Sequence, residues 1–252
     1  MIGRWKPRPD QWFGDQILGD RESQQDAYAT CQTGMGIGLV LADGMGGHRG
    51  GSEAAQSAVS ASVAALEAGD SLEAALHAAN EVIAERRNSH DVSYAGMGTT
   101  LVIAKLEDNA IEWISVGDSP LWLLRNGALM RLNRDHSLAP VLDFMAQNGE
   151  ISEEEAAYDP RRNQLRSALS GREIALIDHS EAPVPLKSGD HVLLASDGLL
   201  GLPDHEIVAT LQSNDGPAAI CAQLLGQLRE TVPSGLDNST AIVYTERKRG
   251  WL

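Results

Sequence analysis

The 252-residue sequence predicts an α+β fold in which antiparallel sheets carry helices packed on their outer faces. Short apolar runs follow one another closely, and the stretches LEDNA and RNGAL between them are typical of hairpin loops. Alanine-rich stretches with apolar residues at helical spacing lie between and after these runs. Because short turns join neighbouring strands in an antiparallel sheet, we expect the helices to lie outside the sheets.

The predicted elements can be placed in order along the chain. Residues 1–16 are polar and predict a loosely ordered arm or an edge strand. Helices are predicted at 53–67 and at 71–87, the second with a capping box of Asp70 and Glu73. A third helix is predicted to begin near Pro217, because proline is favourable in a first helical turn. Strands are predicted at 37–42, 99–106, 110–116, 121–125, 191–196 and 239–245.

Residues 138–172 interrupt the series of strands. They contain many charges and a short helical piece with the capping pair Ser152 and Glu155. An insertion of this length in a compact domain is usually a lid or a binding element. With no internal repeat and no low-complexity linker, we expect one domain over 1–252 with this insertion at about 138–172.

Composition narrows the functional class. A net charge of -15 disfavours a nucleic-acid partner, because phosphate backbones bind basic surfaces. Cys31 and Cys221 are too few and too far apart for a disulfide framework or a zinc site, and they fit a reducing cytosol. The start MIGRWKPRPD lacks the apolar core of a secretory signal, and no apolar run reaches membrane-spanning length. We therefore expect a cytoplasmic protein without a membrane or nucleic-acid partner.

Several aspartates lie where an apolar run meets a loop. These are Asp43 after IGLVLA, Asp118 after WISVG, Asp197 after HVLLAS and Asp237 before STAIVY, with Asp26 upstream in RESQQDAY. If these strand ends converge, the carboxylates share one cleft, and a divalent cation relieves their repulsion. All-oxygen ligands favour magnesium or manganese over zinc. Two such ions about 4 Å apart can lower the pKa of a bridging water and direct it at a phosphorus atom.

The glycines after Asp43 allow more than one interpretation. Without a side chain, Gly44 lets its backbone carbonyl approach an ion. A single Asp–Gly after a strand, however, is more often a simple turn. A nucleotide loop is disfavoured, because GMGGHRG has Arg49 where the dinucleotide pattern needs its third glycine, and the chain has no phosphate-binding G-x-x-x-x-G-K-[ST] pattern.

Five motifs then occur in a familiar order: DGMGGH (43–48), GMGTTLV (96–102), VGDSPLWLLRNG (116–127), ASDGLLGL (195–202) and DNSTAIVY (237–244). They are preceded by RESQQDA (21–27). Over residues 12–246 the chain resembles the bacterial branch of the metal-dependent protein phosphatases, the type 2C or PPM family. The resemblance implies a four-layer αββα sandwich, with two antiparallel sheets flanked by helix pairs and a metal site at one end.

The resemblance also implies a set of metal ligands for Mn²⁺ or Mg²⁺. Asp43 would bridge two ions, and Gly44 would offer its carbonyl to one of them. Asp197 and Asp237 would hold the other ion. Asp118 would help Asp197 to hold a third, weaker ion.

Other residues receive supporting roles by the same resemblance. Asp26 would support the site through bound water, and Arg21 would bind the substrate phosphate, which suits a bidentate guanidinium. Residues 138–172 would form a flap that borders the cleft and influences substrate choice. Met45 stands where many eukaryotic members carry a histidine as candidate general acid, and it cannot donate a proton. His48 is a second candidate, with a structural hydrogen bond as the alternative.

Further departures from the family pattern leave the carboxylates intact. The opening motif reads Gln24-Gln25-Asp26, Pro120 replaces an arginine, and Ser52 displaces the usual glutamate to Glu53. The predicted function is hydrolysis of phosphoserine and phosphothreonine in proteins by a metal-activated water. The partners would be phosphorylated proteins made by a serine/threonine kinase, and the chain would act as a monomer.

Two alternatives stay open. The chain could be a catalytically weak or silent family member that binds phosphoproteins as a regulatory module. That reading predicts lost metal ligands, and only the relaxed ESQQD supports it. It could also be a phosphatase of a secretion or sporulation switch with a dedicated partner, for which we expect an extra regulatory domain or membrane segment.

Overall fold

The computed structural model describes residues 7–34, 36–46, 48–89, 94, 96–213 and 215–247. Their strands form two antiparallel sheets. The strands are β1 (Trp12–Ile17), β2 (Asp26–Gln32), β3 (Ile37–Met45), β4 (Gly98–Thr99), β5 (Leu101–Glu107), β6 (Ala110–Val116), β7 (Leu121–Arg125), β8 (Ala128–Arg131), β9 (Asp178–His179), β10 (Val184–Pro185), β11 (His191–Ala195) and β12 (Ser239–Thr245). One sheet has the order β1-β12-β11-β7-β8 and the other β10-β6-β5-β3-β2, with β4 on β3 and β9 on β6.

The helices lie on the outer faces of these sheets. They are α1 (His48–Ala68), α2 (Leu72–Arg87), α3 (Ala139–Gln147), α4 (Glu153–Tyr158), α5 (Asp204–Leu211) and α6 (Pro217–Thr231). The α1–α2 pair packs on the sheet that contains β3, and the α5–α6 pair covers the sheet that contains β11. The layers are therefore αββα, and the predicted fold is confirmed.

Side-chain alternation explains why the central strands are apolar throughout. In β3, Val40 packs towards α1 while Leu41 belongs to the core between the two sheets. In β11, Leu193 packs towards α6 while Leu194 faces the same inter-sheet core. Successive residues of a strand point to opposite faces, so a strand between a helix layer and a second sheet needs apolar residues at every position.

All six predicted strands are present, and β6, β7 and β12 have the predicted bounds. The stretches LEDNA and RNGAL are tight turns: φ is 48° at Asp108 and 63° at Asn109, and 52° at Asn126 and 81° at Gly127. Two consecutive residues with positive φ match the twist of a hairpin. The polar arm at 1–16 continues into β1 at the edge of its sheet, while residues 1–6 lie outside the described part of the chain.

The helix ends give two corrections and two confirmations. The capping box of Asp70 and Glu73 is wrong, because the N-cap of α2 is Ser71, whose hydroxyl accepts from the Ala74 N–H at 3.1 Å. The Ser152–Glu155 box at the start of α4 is confirmed. Pro217 is the first residue of α6, as predicted, while α1 begins at His48, five residues earlier than expected.

The insertion at 138–172 is folded around α3 and α4. Arg162 forms two hydrogen bonds to Asp143, at 2.7 and 3.0 Å, which tie the segment after α4 to α3. At its base Ser137 is bridged to Leu165. Its function as a flap and the assignment of 1–252 to one domain both stay predictions. In the part of the chain that the structure describes, we find no helix both long and apolar enough to cross a membrane.

Candidate active site

The predicted carboxylates meet at one end of the sandwich, where β3 and β11 end and β2 and β12 begin. Antiparallel pairing of β2 and β3 places Asp26 directly opposite Asp43. In the other sheet, β11 ends at Ala195, a short 3₁₀ turn begins at Asp197, and Asp237 lies two residues before β12. An open cleft of about 380 Å³ at this end is lined by Arg21, Gln25, Asp43, Gly44, Met45, Gly46, Asp237 and Asn238.

Asp26 is the most deeply held of these carboxylates and connects the two sheets. It is 4% exposed, and its Oδ2 accepts hydrogen bonds from Ser196 Oγ at 2.8 Å and Thr240 Oγ1 at 2.7 Å. Its Oδ1 is buried with no hydrogen-bond partner among the described residues. Burial raises the pKa of Asp26 to about 6, against the two hydrogen bonds, and the charges of Asp197 and Asp237 raise it further.

Asp43 and Asp197 form a carboxyl pair within the site. The two side chains are within hydrogen-bonding reach of one another, an arrangement that needs a proton on one of them. Burial raises the pKa of Asp43 well above its ordinary value, with the charges of Asp26 and Asp197 adding to the effect. Burial also raises the pKa of Asp197, although Arg21 opposes this. The ionised forms of these buried acids are therefore disfavoured, and a nearby opposite charge would relieve this.

Asp118 joins the group from the loop between β6 and β7. It is 9% exposed, and burial raises its pKa to about 7, with a further contribution from the charge of Asp197. Arg131 acts in the other direction by its charge, and its Nη2 donates to the Asp118 backbone carbonyl at 2.5 Å. Arg131 of β8 thus fixes the backbone at Asp118, while the Asp118 carboxyl lies near enough to Asp197 to sense its charge.

Asp237 and Arg21 form the outer part of the cleft. The Arg21 Nη2 lies 2.5 Å from Asp237 Oδ2, and the two side chains are 53% and 39% exposed. The Asp237 Oδ1 accepts from the Asn238 N–H at 2.7 Å. The predicted phosphate-binding arginine therefore does lie in the cleft, and its guanidinium contacts a predicted metal ligand.

Gly44 is required for a reason that differs from the predicted one. A Cβ at this position would lie 2.1 Å from the Gly51 carbonyl oxygen and 2.7 Å from that of Gln25. The Gly44 N–H donates to the same Gln25 carbonyl at 3.1 Å. Close packing of three backbone segments explains the glycine, so its carbonyl as a metal ligand stays a prediction.

Met45, which replaces the family's candidate histidine, and the candidate His48 both lie near this cleft in the sequence. Met45 lines the cleft and supplies no proton. His48 is the first residue of α1, but its side chain lies outside the described part of the structure, so its role stays a prediction.

The chemistry of the donors fits a hard divalent cation. The acids present only oxygen, Asp26 and Asp118 are buried, and Asp26 Oδ1 is an acceptor without a donor among the described residues. No set of three or more His, Cys, Asp or Glu side chains within the described ranges is already arranged around a common point.

Sequence reasoning missed the hydroxyl groups that hold these acids. Ser196 and Thr240 bind Asp26, and Thr100 Oγ1 accepts from the Asp43 N–H at 3.0 Å. Thr100 Oγ1 also lies 2.7 Å from Ser119 Oγ, beside Asp118. Each lies within a recognised motif, but a serine or threonine carries no charge pattern that would single it out.

The comparison with known proteins agrees with this geometry. The family model described as "Protein phosphatase 2C" matches residues 13–236. The chain belongs to the protein phosphatase 2C family. A similar relative is the protein phosphatase PhpP of Streptococcus pneumoniae, which is 31% identical over 219 residues, covering 82% of this chain and 85% of PhpP.

Solved structures of the protein phosphatase 2C type share the fold. The serine/threonine phosphatase of S. agalactiae superposes with a TM-score of 0.80 at 26% identity, covering 93% of this chain and 99% of that one. The catalytic domain of the phosphatase PstP, solved with 2 manganese ions, has a TM-score of 0.75 at 29% identity, covering 94% and 98%. The resemblance inferred from the motifs is thereby confirmed at the level of family and fold.

Proposed function

We propose that this chain is a serine/threonine protein phosphatase that requires Mn²⁺ or Mg²⁺. The observation that carries the proposal is the convergence of Asp26, Asp43, Asp118 and Asp197 at one end of the sandwich, with pKa values raised mainly by burial. An acid cluster of this kind is costly without a cation and becomes favourable with one. Membership of the protein phosphatase 2C family and the two manganese ions of PstP support the same conclusion.

Each acid has a proposed place around the ions. Asp43 would bridge two ions with the carbonyl of Gly44 on one of them, Asp197 and Asp237 would hold the other, and Asp118 would contribute to a third, weaker ion. Bound there, Mn²⁺ or Mg²⁺ would polarise phosphoryl oxygens and lower the pKa of a water molecule. Asp26, fixed by Ser196 and Thr240, would orient the polar groups around the ions rather than contact the substrate.

Arg21 is the proposed phosphate ligand. A guanidinium offers paired N–H donors that match two phosphoryl oxygens. In the structure Arg21 Nη2 donates to Asp237, and the pair is half exposed at the mouth of the cleft. An exposed ion pair is weak, so a phosphate dianion can replace Asp237 as the partner of Arg21. That exchange would leave the Asp237 carboxylate available to an ion.

The insertion at 138–172 is proposed as the flap of this cleft. No residue from 138–172 is among the cleft-lining residues given above. Its last part nevertheless reaches the site, because Leu169 exchanges two backbone hydrogen bonds of 2.9 Å with Thr99. The Thr99 hydroxyl in turn donates to the Asp43 carbonyl at 2.8 Å. We expect substrate contacts from α3 and α4 only when a folded phosphoprotein is bound.

The wider setting follows from the same proposal. The substrates would be proteins phosphorylated by a serine/threonine kinase, with the chain acting as a monomer in the cytoplasm. Cys31 and Cys221 are buried free thiols, which is compatible with a reducing compartment. Light scattering after size exclusion tests the oligomeric state, and fractionation of cells tests the compartment.

The central experiment measures turnover of p-nitrophenyl phosphate and of a phosphothreonine peptide, with Mn²⁺ or with EDTA. We expect activity only with the metal, and a loss of at least roughly 100-fold in Asp197→Ala, since even groups that merely orient a metal ligand can be worth that much. Asp70→Ala, which removes an exposed carboxylate away from the cleft, is the matched control. Full turnover in EDTA would reject the proposal, and peptide binding without turnover would favour a regulatory binding module.

A further inference from the structure

His136 holds the backbone of the residue that precedes Asp118. The Gly117 backbone N–H donates to Nδ1 of the His136 ring at 3.2 Å. The backbone N–H of His136 donates in return to the Gly117 carbonyl at 3.1 Å. Gly117 has a φ of 103°, a conformation in the left-handed range that glycine tolerates and most other residues avoid. Two hydrogen bonds from one residue therefore fix both polar groups of this turn, one position before the carboxylate.

Residues shortly before His136 form further hydrogen bonds to the loop from Gly117 to Leu121. Arg131 donates to the Asp118 carbonyl, and Asn133 donates to the Ser119 carbonyl at 2.9 Å. The Asn133 side chain also accepts from the Leu121 N–H at 2.8 Å. The segment 131–136 thus binds the backbone of the loop from Gly117 to Leu121 at nearly every residue. A loop held in this way can present a carboxylate in one orientation.

The ring of His136 is suited to a fixed role rather than to proton transfer. The residue is 4% exposed, and burial lowers its pKa below the ordinary value, against the charges of Asp135 and Asp178. The neutral ring keeps Nδ1 as an acceptor for the Gly117 N–H. Protonation would turn this acceptor into a donor and would break the contact.

The backbone of His136 also anchors the insertion. The Arg166 N–H donates to the His136 carbonyl at 2.8 Å, and the Leu138 N–H donates to the Gln164 carbonyl at 3.0 Å. These bonds join the two strands of chain that lead into and out of α3 and α4. One residue therefore touches the Asp118 loop through its ring and amide, and the base of the insertion through its carbonyl.

We propose that His136 is a positioning residue that orients Asp118 for the weakest-bound ion and connects this carboxylate to the base of the insertion. The inference rests on the proposed function, because it assumes that Asp118 is a metal ligand. His136 itself touches neither ion nor substrate. Its effect passes through Gly117, so it should alter one ion site and leave the phosphate-binding arginine unaffected.

The experiment compares His136→Ala with His136→Asn in the full chain. An asparagine side-chain oxygen can take the place of Nδ1 as acceptor, so the second variant tests rescue. His191→Ala is the matched control, because His191 is another histidine whose pKa burial lowers, and it lies at the start of β11, at the other end of that strand from Asp197. Calorimetric titration of the metal-free proteins with Mn²⁺ gives a readout that does not depend on turnover.

We expect His136→Ala to weaken the weakest Mn²⁺-binding event about 10-fold and to leave the tighter events unchanged. The kcat for a phosphothreonine peptide should fall while KM stays within twofold, and His136→Asn should restore most of both. Unchanged Mn²⁺ binding in a folded His136→Ala would overturn the proposal. Equal weakening of all ions without rescue by His136→Asn would also overturn it, because the role would then be merely structural.

Failure of the proposed function gives a different result. If wild type binds Mn²⁺ but has no phosphatase activity, the function is rejected while the calorimetric comparison still decides the role of His136. If wild type is active and His136→Ala binds every ion normally, only the positioning role is rejected.

Discussion

The metal-free protein should be destabilised by the acids of its candidate active site, and Asp26→Asn is the clearest test. The Asn side chain can still accept from Ser196 and Thr240, which hold Asp26 at 2.8 and 2.7 Å. The substitution removes a negative charge that burial makes unfavourable. In EDTA at neutral pH, the variant should therefore gain stability relative to wild type.

The size and sign of the effect follow from the pKa of Asp26. Burial raises this pKa from 3.8 to about 6. Below pH 3.8 the acid is protonated in both states and contributes nothing. Between these values the unfolded chain loses its proton first, so the free energy of unfolding falls by about 1.4 kcal/mol per pH unit. Above pH 6 the free energy of unfolding of wild type stays lowered by about 3 kcal/mol. Asparagine does not ionise, so the variant is not destabilised in this way.

The assay is urea unfolding of both proteins in EDTA at several pH values from 4 to 8. An unpaired Asn amide can cost about 1–3 kcal/mol at every pH, so the informative quantity is the change with pH. The difference in unfolding free energy, variant minus wild type, should rise by about 2.4 kcal/mol between pH 4 and pH 8, because at pH 4 the unfolded chain has already lost part of its proton. Loss of the Asp26 charge also eases ionisation of Asp43, which acts in the same direction.

Asp70→Asn serves as the control for this series, since Asp70 is exposed and lies away from the cleft. Added Mn²⁺ should stabilise wild type at pH 8, because a ligand that binds only the folded state stabilises it. A difference between Asp26→Asn and wild type that is flat with pH, or that falls as pH rises, would refute the electrostatic account of the site.

Three further predictions concern the cleft and the helices. Arg21→Ala should raise KM for a phosphothreonine peptide about 10-fold or more, with calorimetric Mn²⁺ affinity kept; an unaltered KM would mean that another group binds the phosphate. Gly44→Ala puts a Cβ 2.1 Å from a carbonyl oxygen and should cost about 3 kcal/mol or more in urea unfolding, whereas Gly226→Ala, in an open helical position of α6, should stabilise by about 1 kcal/mol. Ser71→Ala should cost about 1 kcal/mol in thermal unfolding, and an equal loss in Asp70→Ala would contradict the observed cap.

The sequence predicts strands well where both faces of the strand are buried. The bounds of β6, β7 and β12 match because their apolar runs end at turn residues. In contrast, β2 reads DAYATCQ, with small and polar residues and no clear period. It forms because β3 offers a partner along its whole length, which is a tertiary effect that local pattern does not contain.

The candidate site shows the same division between local and tertiary information. Charged residues at strand ends are visible in the sequence, so the acids were accessible to prediction, whereas Arg21 was assigned only through the family resemblance. The groups that hold them come from distant positions and carry no charge: Ser196 and Thr240 for Asp26, and His136 for the turn before Asp118. Which hydroxyl or ring nitrogen meets which acid depends on strand pairing and register, and these become known only when the sheets are assembled.

Strand register also explains why the chain tolerates two acids in direct opposition. Asp26 and Asp43 are cross-strand partners, and like charges at such positions are destabilising. A slip of one residue would separate them, but it would turn Leu41 away from the inter-sheet core and Val40 away from α1. The core therefore fixes the register, and the register forces the acids together. The repulsion between these acids destabilises the metal-free fold, and a divalent cation is the ligand best able to remove it.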